Sequence, residues 1–158
     1  MRIQRIDKGG SDNISVEDVK VYANISTSSR DDEISAMLVS AINLVEDIAD
    51  ISLTANTLKF YPEKKAKSFE LFYLPVATIV SVRDVITGEE LAYTTNYEKT
   101  EVFISESADV IIEYTTTATQ YNTIQFKQHV LEICSAYYDG VTDNEVLGKI
   151  CSKIPRKL

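Results

Sequence analysis

The sequence predicts an α+β fold in which a helical core carries an inserted, mostly antiparallel block of strands. Apolar residues recur every three or four positions in the first 55 residues and again after residue 122, which indicates amphipathic helices. Between these segments the apolar residues alternate, as in half-buried strands. The junctions near Asn56 and Thr119 lack the composition of a flexible linker. We therefore expect one domain over residues 14–140, with helices in 14–55, strands in 57–117 and a helix in 122–140.

Composition and charge narrow the classes of protein to consider. Of the 158 residues, 24 are Asp or Glu and 16 are Lys or Arg, which gives a net charge of −8. A chain this acidic is a poor non-specific binder of nucleic acid. Its two cysteines, Cys134 and Cys151, are too few for a disulfide framework and are typical of a reducing cytoplasm. No apolar run is long enough to span a bilayer, so we expect no membrane segment.

Capping signals and apolar stripes define the expected helices. The Ser15 hydroxyl can accept the backbone amide of Asp18, which predicts the start of a first helix, and Asn24 opens a polar run that ends it. Three acids, Asp31–Glu33, begin a second helix, where they complement the positive end of the helix dipole. Its apolar stripe consists of Ile34, Met37, Leu38, Ala41, Ile42, Val45, Ile48 and Ala49. The stripe of the third helix, from about Ile124 to Tyr138, consists of Phe126, Val130, Ile133, Cys134 and Tyr137.

About five short strands are expected in the inserted block. Thr87–Glu90 has the composition of a hairpin turn, and Pro75 suits a strand start, where its missing amide donor matters least. The stretch from Thr94 to Glu101 has no assigned structure. The alternating residues are Leu58, Phe60, Phe69, Leu71, Tyr73, Val76, Val80, Val82, Val102, Ile104, Val110, Ile112 and Tyr114.

No catalytic constellation is visible in the sequence. The one histidine, His129, lies beside an apolar stripe, where a packed or surface role is the usual one. Five glycines form no phosphate-binding loop or nucleophile elbow. Asp31–Glu33 are better explained by helix capping than by metal binding, and Cys134 is best explained as a small buried apolar residue. We expect no enzyme activity, no metal and no cofactor.

Three groups of residues are candidates for interactions instead. Glu46, Asp47 and Asp50 lie opposite the apolar stripe of the second helix, as a solvated or channel-facing acidic surface. Tyrosine is favoured where one side is packed and the other wet, which fits either a half-exposed sheet or an interface. The candidate tyrosines are Tyr73, Tyr97 and Tyr114. A basic tail over 141–158 offers Lys149, Ile150, Lys153, Ile154, Arg156 and Lys157 for docking on a neighbour.

Four stretches of the chain together carry a family resemblance through their order and spacing. They are Ile14–Lys20 with Arg30–Ile34, then Leu74–Val76 with Gly88, then Asp109–Tyr114, and finally Ile124–Tyr138. In these stretches the sequence resembles the head-to-tail connector (adaptor) family of tailed bacteriophages, the ring proteins that sit beneath the portal. The resemblance covers about residues 14–138.

The resemblance implies a structural virion protein of the neck, assembled in the cytoplasm of a bacterial host. Its expected partners are the portal protein, a downstream tail or neck protein, and copies of itself in a dodecameric ring. Viral DNA would pass through this ring without specific binding, with Glu46, Asp47 and Asp50 lining the channel. The basic tail would dock on portal or a neighbouring subunit, and the tyrosines would lie at subunit interfaces. Residues 1–13 are expected to form a flexible arm.

Two alternatives remain open from the residues alone. A different neck protein of the same particle, such as a tail-completion protein, would have similar chemistry. A cytosolic DNA-binding or interaction module is the other, with the first two helices as a helix-turn-helix. The second helix carries six acids and no base, which disfavours insertion into a DNA groove. An enzyme is a distant third.

Overall fold

The computed structural model describes residues 1–8, 14–119, 123–141 and 143–156. Within these residues it confirms the α+β class, with four helices and two antiparallel sheets. The contacts divide the chain into two compact units, where the sequence led us to expect a single domain. The strand unit comprises the described residues within Met1–Gly10 and Ile51–Thr119, and the helical unit those within Ser11–Asp50 and Gln120–Leu158.

The helical unit contains α1 (Val16–Ala23), α2 (Asp31–Ala49), α3 (Thr123–Tyr138) and α4 (Asn144–Cys151). The Ser15 cap is confirmed: Ser15 Oγ accepts the Asp18 amide at 3.2 Å, and Asp18 Oδ2 accepts the Ser15 amide at 2.8 Å. This reciprocal pair satisfies two amides that the first helical turn leaves without partners. The fully buried apolar residues of the helical unit include Val19, Ile34, Ala41, Val45, Val130, Ile133 and Cys134.

The strand unit contains seven strands in two sheets, among the residues that the structure describes. The four-stranded sheet has the order β1-β2-β7-β4 and the three-stranded sheet the order β3-β6-β5. Their apolar faces share one core that includes Leu58, Leu71, Val102, Ile112 and Tyr114. The strands are β1 (Arg2–Lys8), β2 (Asn56–Tyr61), β3 (Ala66–Glu70), β4 (Val76–Asp84), β5 (Tyr93–Thr95), β6 (Glu101–Ala108) and β7 (Val110–Thr116).

The expectation of a flexible N-terminal arm is wrong for Arg2–Lys8, because β1 pairs antiparallel with β2 along its whole length. The register shifts between Arg5 and Asp7, and Ile6 has no partner in the ladder. Ile3 and Ile6 are therefore three residues apart, instead of the two that an alternating strand pattern requires. Cationic side chains also hold the strand: the Arg5 guanidinium carbon lies 4.8 Å from the centre of the Tyr73 ring. The remainder of the expected arm, residues 9–13, lies outside the described residues.

Buried polar groups fasten the two segments by which the chain enters and leaves the strand unit. The Ser52 amide donates to the Leu74 carbonyl at 2.8 Å, and the Thr119 amide donates to the Ser52 carbonyl at 2.7 Å. The Ser52 and Thr116 hydroxyls lie 2.7 Å apart, and both residues are buried. These bonds satisfy buried polar groups and fix residues 52 and 119 beside each other.

Candidate interaction surfaces

The described residues offer little for catalysis or metal binding. They contain no group of three or more His, Cys, Asp or Glu side chains that could hold a metal ion. His129 is 8 % exposed, and among the described residues neither of its ring nitrogens has a hydrogen-bond partner. Its position on α3 is that of a packed histidine. In the part of the chain that the structure describes, every helix is too short or too polar to cross a membrane.

The structure separates the three acids that the sequence placed on one exposed face. Asp47 is exposed and Asp50 is half-buried in a left-handed conformation at the end of α2. Glu46 is 0 % exposed, so its assignment to an exposed, channel-lining face is wrong. It lies one turn after Ile42 and next to Val45, inside a buried stripe that is broader than the apolar residues alone indicate.

The basic tail folds back onto its own unit. Asp143 caps α4 by accepting the Glu145 amide at 2.8 Å, and the helix packs on α3. Ile150 and Ile154 were expected to dock on a neighbouring chain, but both are already buried within this chain, with 9 % and 4 % of their surface exposed. Their spacing of four residues puts both on one side of this short element.

The cationic side chains of the tail have partners of their own. Lys149 Nζ lies 2.9 Å from Glu145 Oε1, and Lys153 Nζ lies 3.4 Å from Glu132 Oε1 on α3. Arg156 is exposed, and Lys157 lies outside the described residues. Within the described part of the tail, Arg156 is therefore the expected docking residue most open to a partner.

The three candidate tyrosines have different surroundings. Tyr114 is 0 % exposed, and its hydroxyl donates to the Phe72 carbonyl at 3.0 Å, so it belongs to the core and its interface assignment is wrong. Tyr73 is half-buried beneath Arg5. Tyr97 is fully exposed, at 101 %. Alternation along a strand identified inward and outward positions but not which sheet face is covered.

Tyr97 stands on a tight turn, Asn96–Lys99, that its neighbours hold in place. Asn96 Oδ1 accepts the amides of Thr100 and Glu101 at 2.8 and 3.1 Å. Lys99 has a φ of 55° and donates through Nζ to the Ala77 carbonyl at 2.8 Å. The turn therefore presents an aromatic ring on a backbone that is already ordered.

Ile86 is presented in the same way by the turn after β4. The Asp84 carboxylate accepts the amides of Ile86 and Thr87 at 2.7 and 2.9 Å, and these bonds lower the pKa of Asp84. Gly88 completes the turn with a φ of 73°. Ile86 is 83 % exposed, so its apolar side chain projects from the turn into solvent. The composition of Thr87–Glu90 predicts a hairpin turn here, but it does not predict the exposed apolar side chain of Ile86.

Two turns and one connecting residue lie at one end of the strand unit, which we call the turn end: Pro62–Lys65, Asp84–Gly88 and Asp109 between β6 and β7. Asp84 pairs with Val110 in the ladder, and Phe60 pairs with Ile112 two residues further along. Because β2 and β4 both flank β7, their ends lie about 10 Å apart. Exposed lysines and exposed apolar residues therefore occupy the same end of the sheet.

Comparison with known proteins places the fold. The chain is similar to a chain in the neck of an empty GTA particle computed with C6 symmetry, at 14 % identity and a TM-score of 0.69. It is also similar to chains in the virion of a native gene transfer agent (GTA) particle and in the neck of a native GTA particle computed with C12 symmetry. These two matches have 13 % identity and TM-scores of 0.71 and 0.63. All three alignments cover 100 % of this chain and 97 % of the other.

At this identity the likeness establishes the fold, over all of this chain and nearly all of the others. No family model matches the sequence. No curated protein matches it either. The α+β arrangement, with strands inserted between the second and third helices, is thus one that chains of these assembled particles also adopt.

Proposed function

We propose that this chain is a structural protein of the neck of a tailed phage or phage-like particle. Within the neck it would be a head-to-tail connector that forms a ring around the DNA channel between portal and tail. The observation that carries the proposal is the full-length fold likeness to chains from GTA necks. The resemblance of residues 14–138 to the connector family, found from sequence alone, supports the same role independently.

The exposed residues of the chain support a role in protein assembly better than a role in catalysis. Two ordered turns project Ile86 and Tyr97 into solvent, and exposed anchors of this kind carry much of the energy of protein interfaces. The described residues contain no metal cluster, and His129 is packed. A ring of twelve copies is the stoichiometry that we propose, in keeping with the C12 symmetry used for one of the similar necks.

Asp47 is the remaining described acid for the proposed channel lining, together with the half-buried Asp50. Like-charge repulsion would keep DNA phosphates from adhering to such a surface during passage. The proposed partners are portal, a downstream tail or neck protein, and further copies of this chain. A different neck protein of the same particle is the second candidate, since a fold likeness to chains of a GTA neck and of a GTA virion supports a place in the particle without distinguishing between neck roles.

The test is incorporation into particles. A phage or gene transfer agent lacking its copy of this gene should accumulate filled or partly filled heads without tails, and supplied protein should restore joined particles. Imaging of the restored neck should show a ring of this chain in contact with portal. Heads that join tails normally without the protein, or a restored particle in which the chain lies outside the neck, would contradict the role.

A further inference from the structure

We propose that the turn end of the strand unit docks on α1 of a second copy of this chain, so that copies associate head to tail. The inference rests on the proposed function and names the contact by which neighbouring subunits would join. Two different patches of one chain that fit each other form a heterologous contact. Repetition of such a contact closes a ring when the rotation allows it.

The apolar part of the turn end is Val85 and Ile86, which are 53 % and 83 % exposed. Their turn is already fixed by the Asp84 carboxylate and by Gly88, so docking would order little additional backbone. A contact made by a preorganised turn loses less conformational entropy than one made by a mobile loop. Two adjacent apolar side chains on such a turn are therefore suited to fill a shallow apolar surface.

The basic part of the turn end is Lys64 and Lys65, both exposed. The one carboxylate in their turn, Glu63, lies 2.6 Å from the Met1 amino group. Among the described residues neither lysine forms an ion pair. The chain has 24 acids and 16 bases, so other copies of it offer more acidic than basic side chains for this unpaired basic pair to meet.

Helix α1 offers the matching chemistry. Glu17 and Val21 lie one turn apart and are both exposed, Val21 at 71 %. Tyr22 beside them is 39 % exposed, and Glu17 forms no ion pair within the described residues. Val21 and Tyr22 can receive Val85 and Ile86 while Glu17 meets a lysine. The turn end and this face thus agree in both apolar character and charge.

Nucleic acid is the competing occupant of a lysine-bearing surface. Phosphate contacts need donors, and Val85 and Ile86 offer none from their side chains. The overall negative charge also opposes approach of a DNA backbone. An acidic and partly apolar protein surface fits the turn end better than DNA does. The exposed face of α1 on a second copy of this chain is such a surface.

The experiment compares two double variants of equal charge change. K64Q/K65Q removes both lysines, and the control S68E/S105E adds two acids at exposed positions of β3 and β6, so each shifts the net charge by −2. Sedimentation across a concentration series should show weak self-association of the wild type. K64Q/K65Q and I86S should each weaken it at least about fivefold, and the control should not.

Charge exchange makes the test specific to α1. E17K should weaken self-association, and combining it with K64E/K65E should restore it towards the wild-type value, because both charges are then reversed and attract each other again. Zero-length carbodiimide coupling should join Glu17 to Lys64 or Lys65 between copies. A mixture of isotopically labelled and unlabelled chains identifies such links as intermolecular.

Three results overturn the proposal: no self-association of the wild type at its highest soluble concentration, equal effects of K64Q/K65Q and its control, or no restoration by charge exchange. A fourth is that K64Q/K65Q loses salt-dependent binding to a DNA duplex and keeps normal self-association, which would assign the lysines to DNA. The proposed function is judged separately, by whether wild-type protein enters particle necks. If K64Q/K65Q builds normal necks, the proposed contact between the turn end and α1 is wrong, while the proposed function still holds.

Discussion

Lys20 on α1 and Asp31 on α2 form an ion pair that joins these two helices, and the Lys20 side chain is the buried partner. Lys20 Nζ lies 3.2 Å from Asp31 Oδ1, and the Lys20 side chain is 9 % exposed while that of Asp31 is 41 % exposed. Ser28 Oγ lies 3.4 Å from the same ammonium. The sequence suggested only helix capping for Asp31, whereas the structure shows that it also compensates a buried charge.

This asymmetry predicts unequal costs for removing the two partners. D31N leaves the buried Lys20 ammonium without its carboxylate and should lower the free energy of unfolding by about 3 kcal/mol. K20M keeps the apolar stem and leaves an Asp31 side chain that is 41 % exposed but whose Oδ1 is buried, so a smaller loss of about 2 kcal/mol is expected. Urea titration of both variants and of K20M/D31N measures the difference. The prediction is wrong if D31N and K20M lower the free energy of unfolding equally, or if K20M/D31N is less stable than D31N.

The sequence allowed the fold class and most element positions to be predicted, because those depend on periodicity and caps. The Ser15 capping box and the apolar stripe of α2 are examples that the structure confirms. Strand β1 escaped prediction because its bulge at Arg5–Asp7 breaks the alternation. Glu46 was placed on the outer face with the other two acids because charged residues are seldom fully buried, although it lies four residues after Ile42 and so on the buried side of the helix.

The candidate surfaces were less predictable for a physical reason. Whether a strand residue such as Tyr114 lies inside or outside depends on which sheet face another layer covers, and one sequence contains that information only indirectly. Ile150 and Ile154 show the same limit. Their helical spacing indicated an apolar face, but not that the face would be covered by the chain's own α3.

The burial of Glu46 predicts opposite outcomes for two neighbouring charge reversals. E46K places a longer cation where a carboxylate is fully enclosed, and a loss of more than about 3 kcal/mol is expected. D47K changes an exposed position and should alter stability by less than about 0.5 kcal/mol. Thermal melts of both variants check this. D47K then tests the proposed channel in particles, where slowed genome ejection with normal folding is expected.

Asp18 should make the helical unit sensitive to acid. The backbone amide of Ser15 is the main cause that lowers the pKa of Asp18 below its usual value of 3.8, and Lys127 Nζ at 3.3 Å assists. A lowered pKa means that the stabilisation is complete above the ordinary value and is lost as pH falls towards the folded-state value. The wild type should therefore exceed D18N in stability at pH 6, and the gap should close below pH 4. E106Q, an exposed change on β6, is the control; a gap independent of pH would contradict the assignment.

The two thiols should differ in reactivity. Burial raises the pKa of Cys134 to about 11, and the pKa of the half-buried Cys151 is raised by burial as well. The thiolate is the reacting species, so at pH 8 only about one Cys134 in a thousand is ionised, and the side chain is enclosed. Iodoacetamide should modify Cys151 first and Cys134 only after denaturation. Mass spectrometry of timed samples measures both rates, and equal native rates would show that α3 opens readily.

The tail should contribute to stability even before any partner is present. Ile150 and Ile154 are buried within the helical unit, and burial of one such side chain is worth roughly 1.5–3 kcal/mol before entropy is subtracted. Lys153 adds an ion pair to Glu132 on α3. Truncation after Asp143 should therefore lower the melting temperature by several degrees, where an unstructured, solubilising tail would leave it unchanged. I150S/I154S in the full-length chain should reproduce most of the loss. K149S, which removes only an exposed pair with Glu145, should not. If the truncated chain has the same melting temperature as the wild type, the packing of α4 on α3 contributes no net stability and the tail is available for a neighbour.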